Sequence, residues 1–290
     1  MKTQDFPLPE TQIKELLKDF LLEDEGYGDI TSTILIPPDK KAKARIFTKE
    51  SCVLAGGIVI KMLFEMGGCK VNLRKEEGKV LKPNTTIAIV TGPMQEILLR
   101  ERLSLNLLGR MCGIATKTHS YTKQIPPDSN TVVAATRKTT PGLRLFEKYA
   151  VVCGGGDTHR LRLDDMVLMK DNHRVIFSSI TKAIAKIKET ISFSKKIEVE
   201  VEDNETMLAA AKAGADIIML DNYSPAQIKE ALKILEKEKL RDKILVELSG
   251  GIDEENIRKY ATLGADIISS GSLTHSYRSI DVSLEIENEE

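Results

Sequence analysis

The residues best suited to chemistry are Arg137, Lys138, His159, Arg160 and Lys170. They lie in the stretch 136–174, TRKTTPGLRLFEKYAVVCGGGDTHRLRLDDMVLMKDNHR, around the run Gly154-Gly155-Gly156. The formal net charge of the whole chain is −1, so this basic density is local. A guanidinium fork pairs with a carboxylate or phosphate through two N–H groups, whereas a lysine supplies a compact point charge. Glycines let backbone approach a ligand closely. Together they describe an anion site. The remaining cations of the stretch, Arg144, Lys148, Arg162 and Arg174, are expected to be solvated surface.

Glu200 and Asp221 form the acidic counterpart. Glu198, Glu200 and Glu202 alternate with Ile197, Val199 and Val201, so the three acids share one face of a strand and need cationic partners there. Asp221 ends the apolar run Ile217-Ile218-Met219-Leu220, where it could equally cap the following turn. The pair suits hydrated Mg²⁺ or a developing positive charge. A third set, Ser249-Gly250-Gly251 and Ser270-Gly271, offers turn amides of the kind that cradle phosphate.

These residues need elements to position them. Short β-branched or apolar runs at 131–136, 166–170, 197–202, 216–220, 244–248 and 266–270 read as strands. Helical patterns near 175–190, 204–213, 225–239 and 254–262 separate the later ones, which makes parallel βαβ units. Ala211–Ile218 and Ala261–Ile268 repeat one pattern of helix end, glycine and buried strand. Six strands, or seven, fit a doubly wound sheet or a barrel. Lys138, Lys170, Glu200, Asp221, Ser249 and Gly271 all fall at carboxyl ends of strands, and this favours the barrel. The first third reads as α+β: helices over 9–22 and 58–66, strands over 42–49, 70–73 and 85–90, and a loop through EDEGYGDIT. A long helix follows from 94 to about 123.

The chain has 290 residues, 41% of them hydrophobic, enough for one large domain or two modest ones. The near-neutral charge argues against nucleic-acid binding. No apolar run reaches a membrane-spanning length of about 18 residues. Cys52, Cys69, Cys112 and Cys153 are widely spaced, as expected of reduced thiols in a cytoplasmic protein.

The segments EDEGYGDIT, ERLSLNLLGRMCGIAT, ATRKTTPGLR, EKYAVVCGGGDTHR, VLMKDNH, EVEVED, IMLDN, LSGGI and GSLTHS follow one another along nearly the whole chain. In these segments the sequence resembles the quinolinate phosphoribosyltransferases, with Cys112 where that family usually has serine. The resemblance implies an α/β sandwich domain over 1–110, joined by the tail 273–290, and an open seven-stranded α/β barrel over 111–272. It implies transfer of phosphoribosyl from phosphoribosyl pyrophosphate to quinolinate, with Mg²⁺, giving nicotinate mononucleotide, pyrophosphate and CO₂. Arg137, His159 and Arg160 would hold the dicarboxylate, with Lys138 and Lys170 on quinolinate or pyrophosphate. Glu200 and Asp221 would face the ribose and the metal, while Ser249, Gly250, Gly251, Ser270 and Gly271 would take the 5′-phosphate. Arg102 matches an arginine supplied by a neighbouring subunit, which implies a homodimer with shared sites, or a hexamer of such dimers. A paralogue serving molybdenum metabolism departs around the Lys170-Asp171-Asn172-His173 segment that this chain keeps. A non-catalytic sensor of phosphoribosyl ligands would not need Glu200 and Asp221.

Overall fold

The computed structural model describes residues 6–177 and 179–287 and, at Arg174, the backbone alone. The expectation for the Arg174 side chain therefore lies outside the described residues. The chain separates into two compact units. One contains 120–138 and 157–272; the other contains the chain up to 119, the segment 139–156 and the residues from 273 on.

The first unit carries six parallel strands. Their order in space is Val132–Ala134, Ile267–Ser269, Leu245–Ser249, Ile217–Asp221, Ile197–Val201, Val167–Met169. From Val167 onward each strand lies beside the next in sequence, and the first strand lies beside the last. A doubly wound sheet would reverse direction midway, and this one does not. On the free edge of the first strand, Asp157 makes an isolated parallel bridge with Ala134, at a position where a further strand would lie. The helices Ile180–Thr190, Asn204–Ala213 and Pro225–Lys237 connect successive strands. Ser179, Asp203 and Ser224 cap them by accepting from backbone amides of the first turn. The sequence pattern starts the first of these helices near 175, five residues before its observed start at Ile180.

The second unit holds an antiparallel sheet ordered Val282–Glu287, Lys41–Thr48, Thr86–Pro93, Lys70–Leu73. The tail strand pairs with Lys41–Thr48, from Lys43 opposite Glu287 to Thr48 opposite Val282. Ala42, Ala44 and Ile46 point into a core shared with Ile87, Val90, Ile97, Leu105, Leu108 and Val282, while Lys41 and Lys43 are exposed. Burying such a side chain contributes roughly 1.5–3 kcal/mol. Within the helix Met94–Thr122, Gly113 lies so close to the tail that a Cβ there would overlap the Arg278 carbonyl. The EDEGYGDIT loop is shorter than the sequence predicts. Asp29 accepts from the Ser32 amide at 3.0 Å and starts a six-residue helix, Ile30–Leu35.

Candidate active site

Strand register gathers the functional side chains on one face of the parallel sheet. Glu200 lies beside Met219, Met219 beside Glu247, and Asp221 beside Ser249. Side chains two residues apart share a face, so Glu198, Glu200, Asp221, Glu247 and Ser249 all project the same way. Glu200 and Asp221 sit at the carboxyl ends of adjacent strands. Lys170 follows the strand Val167–Met169, and its Nζ lies 2.7 Å from Glu200 Oε2. Glu202 lies beyond the strand and is exposed.

Deeper on the same face, His159 Nε2 lies 3.0 Å from Glu247 Oε2 and 3.3 Å from Glu198 Oε2. Both carboxylates are fully buried. Nδ1 accepts the backbone amide of Arg160 at 2.8 Å. A nitrogen that accepts an N–H bears no proton of its own, so the ring proton is on Nε2, facing the acids. Burial opposes a charge on the imidazole, but the two carboxylates outweigh it and strengthen the cluster's hold on protons. Burial and neighbouring Glu247 raise the Glu198 pKa, although His159 pulls the other way. His159, Glu198 and Glu247 offer three potential metal-ligand atoms within 4.8 Å of one another. A metal would have to displace the Nε2 proton; with the proton in place the three form a hydrogen-bonded cluster.

Arg137 and Arg160 are close enough to repel. Arg160 is held below its ordinary pKa, first by burial and then by the Arg137 charge. The Arg137 Nε is buried without a hydrogen-bond partner among the described residues. Two apposed guanidiniums and an unpartnered donor are the signature of a site shaped for an anion. Lys138 is exposed just after the strand Val132–Ala134, and its amide donates to Thr136 Oγ1.

The glycine turn has a local reason as well as a functional one. Gly250 has φ 92° and Gly251 φ 60°. A Cβ at Gly250 would overlap the Asn222 side chain and approach its amide nitrogen to 2.8 Å, whereas one at Gly251 meets nothing within 4 Å. The open side of the turn is therefore at Gly251. Ser270 is engaged internally: its amide donates to Ala134 O at 3.0 Å and its hydroxyl to Ile252 O at 2.7 Å. Ser272 Oγ joins this hydroxyl chain, 2.9 Å from Ser270 Oγ and 2.7 Å from Tyr121 Oη. Ser249 Oγ accepts from Ser269 Oγ at 3.2 Å, and Gly271 follows on the same loop.

Arg102 lies in the other unit, exposed on the helix Met94–Thr122, with no ion pair among the described residues. Lys148 corrects the expectation of a solvated cation. It is fully buried in the helix Arg144–Cys153, whose inward face also carries Phe146, Ala150 and Val151. Arg144 is half-buried and donates to Thr139 Oγ1, while Arg162 is exposed, as expected, beside Asp164. Glu247 was not singled out from the sequence. Its signal is a lone acid within Ile244-Leu245-Val246-Glu247-Leu248, since a carboxylate in a buried strand requires a partner.

Lysines, two acids and a glycine turn stand at the carboxyl ends of the parallel strands, with the Arg137–Arg160 pair in the same unit. The chain belongs to the quinolinate phosphoribosyl transferase family: the family's N-terminal domain matches residues 29–112 and its C-terminal domain residues 114–285. A probable carboxylating nicotinate-nucleotide pyrophosphorylase from Methanocaldococcus jannaschii is 46% identical, over 94% of this chain and 96% of its own. Its counterpart from Methanothermobacter thermautotrophicus is 42% identical, over 94% and 98%. The crystal structure of NadC from Streptococcus pyogenes superposes with a TM-score of 0.91 at 37% identity, covering 98% of this chain and all of that one.

Proposed function

We propose that the protein is a carboxylating nicotinate-nucleotide pyrophosphorylase, a pentosyltransferase of NAD biosynthesis. It transfers phosphoribosyl from phosphoribosyl pyrophosphate to the ring nitrogen of quinolinate and releases pyrophosphate and CO₂. The observation that carries this reading is the Arg137–Arg160 pair, with the Glu198 charge acting on Arg160, together with Glu200 and Asp221 at the ends of adjacent strands. Quinolinate brings two carboxylates, and the cosubstrate brings a 5′-phosphate and a pyrophosphate.

Arg137 and Arg160 hold the two carboxylates, while Lys138 and Lys170 meet quinolinate or the departing pyrophosphate. The C1′–O bond to pyrophosphate breaks as the ring nitrogen lends its lone pair to C1′. Glu200 and Asp221 stabilise the oxocarbenium-like charge between those events. The positive charge of the resulting pyridinium stabilises the electron pair left at C2 as CO₂ departs, and a proton then bonds to C2. The Ser249-Gly250-Gly251 turn and Gly271 receive the 5′-phosphate, with Gly251 on the open side. Ser270 supports the loop through its bond to Ile252.

Two hard carboxylate donors at adjacent strand ends fit a hydrated Mg²⁺, held by Glu200 and Asp221 directly or through water. When bound, the ion neutralises pyrophosphate charge. Arg102 of a neighbouring subunit completes the site in a homodimer, or in a hexamer of dimers. All four cysteines are free, in keeping with a cytoplasmic enzyme. No helix among the described residues is long and apolar enough to cross a membrane.

The test is nicotinate mononucleotide formation from quinolinate, phosphoribosyl pyrophosphate and Mg²⁺. Nicotinate serves as control and should not react, because one carboxylate leaves part of the guanidinium pair unmatched. Equal turnover of both acids removes the assignment.

A further inference from the structure

We infer that Glu247 and Glu198 are positioning residues that act through His159, and that His159 is an internal strut holding Arg160 rather than a direct contact of the substrate. The inference rests on the quinolinate reading for its kinetic part only.

The strut begins at the edge of the sheet. Asp157 is fixed to the strand Val132–Ala134 by two backbone bonds, donating to Val133 O at 2.8 Å and accepting from Ala135 N at 2.9 Å. Two residues later, His159 adopts the left-handed conformation, φ 51°, which is uncommon for a residue with a Cβ. Its amide donates to Asp157 Oδ1 at 2.6 Å. Its Nδ1 accepts the next amide, that of Arg160, at 2.8 Å. The ring is thus bonded to the backbone of the residue whose guanidinium the substrate needs.

The other nitrogen is also committed. Nε2–H points at Glu247 Oε2, with Glu198 Oε2 3.3 Å away. Both carboxylates come from the sheet, on the strands Leu245–Ser249 and Ile197–Val201. Glu198 has no other hydrogen-bond partner for either oxygen among the described residues. Buried carboxyls stay in an apolar strand when something requires them; here His159 is the group both face, and Glu198 also attracts the Arg160 charge. The acids fix the ring, the ring fixes the Arg160 amide, and the amide direction sets the start of the Arg160 side chain. To contact quinolinate through a ring nitrogen, His159 would have to give up one of these bonds and unlock Arg160.

The test combines tautomer spectroscopy with kinetics. In protein labelled with ¹⁵N-imidazole, proton–nitrogen correlation spectra identify the His159 signals among the four histidines by comparison with His159→Gln. The expected result is Nε2–H with unprotonated Nδ1 at neutral pH, unchanged on saturation with quinolinate. Glu247→Gln retains a carbonyl acceptor and keeps this tautomer. Glu247→Met removes the acceptor at similar size and loses it. Glu247→Met should raise KM for quinolinate by about 10- to 100-fold, the scale of a misplaced substrate-holding group. KM for phosphoribosyl pyrophosphate should stay within about twofold, and Glu247→Gln should recover most of the loss.

An Nδ1–H tautomer, a shift of both ring nitrogens on quinolinate binding, or displacement of the Nε2 proton by Zn²⁺ overturns the inference. So does a folded Glu247→Met enzyme with unchanged KM for quinolinate. If Glu247→Met does not fold, the wild-type and Glu247→Gln spectra decide alone. If the wild-type enzyme makes no nicotinate mononucleotide, the functional reading fails, while the tautomer in the unliganded protein still judges the strut.

Discussion

Lys170 and Glu200, thirty residues apart in sequence, meet across adjacent parallel strands with Nζ 2.7 Å from Oε2. The Lys170 side chain is 46% exposed and that of Glu200 13%, so the pair sits at the mouth of the site. An exposed ion pair contributes little stability, on the order of 0–1 kcal/mol. Under the proposed function its consequence would be kinetic: Glu200 would hold Lys170 in place before an anion arrives, and each would exchange partners when substrates bind.

Removing the charge of Glu200 or of Lys138 should affect rate more than folding. Glu200→Gln and Lys138→Ala should each lower kcat by roughly 10²–10³, the usual effect of losing one preorganised electrostatic group. Their melting curves should match the wild type. Arg162→Ala, at an exposed position, should be nearly silent in both measurements. Normal kcat in either of the first two variants removes that residue from the reaction.

The glycine turn requires a careful choice of variant. Any side chain at Gly250 strikes Asn222 first, so its loss would report on folding of the turn. Gly251 is the discriminating position, since a Cβ there meets open space. Gly251→Ala carries a backbone cost of about 1–2 kcal/mol at φ 60°. If phosphate seats on that side, KM for phosphoribosyl pyrophosphate should rise by about tenfold, equivalent to about 1.4 kcal/mol, with quinolinate affinity little changed. Calorimetry showing unchanged affinity for the phosphorylated ligand would move the cradle elsewhere.

Much of this site was legible in the sequence because its residues sit where strands stop. A charged residue, serine or glycine closing an apolar run marks a strand end, and Lys170, Asp221, Ser249 and Gly250 all do so. Residues inside runs were harder to read. Glu247 interrupts a strand rather than ending it, and its partner His159 is 88 residues away. At Lys148 local charge density points to a wet surface, whereas Phe146, Ala150 and Val151 around it make a buried helical stripe. Partnership at such distances is fixed by strand order, which hydrophobic periodicity does not encode.

Glu77 gives a pH-dependent prediction for the unit with the antiparallel sheet. Its carboxylate accepts the amides of Gly56 at 3.0 Å and Ile58 at 2.9 Å, capping the helix Gly57–Met66. Burial raises its pKa, and the amides only partly offset this. A raised pKa means that the folded protein keeps a proton the unfolded chain releases near pH 4.5. Stability contributed by that proton is full below this pH and declines as pH rises through the folded value. Glu77→Gln, which keeps a carbonyl acceptor and cannot ionise, should flatten this part of the stability–pH curve. Glu77→Ala should cost about 1 kcal/mol of helix capping at every pH. Chemical denaturation across the pH series decides, and a Gln variant with the wild-type slope would assign the titration to another group.

Arg102 tests assembly. The exposed guanidinium lies on the helix Met94–Thr122, where Leu105 and Leu108 point into the core of its own unit. Among the described residues it has no ion pair, which leaves it free to meet an anion. In a two-fold dimer it would reach the partner's strand ends, and each site would be built from two chains. Arg102→Ala and Lys138→Ala homodimers should then both be nearly inactive. Unfolding and refolding an equal mixture makes half the dimers mixed, and each mixed dimer has one site free of both substitutions. Activity should return to about a quarter of wild type, one intact site in two for half the molecules. Heterodimers confirmed by mass but without activity would place Arg102 in its own subunit's site, or outside catalysis altogether.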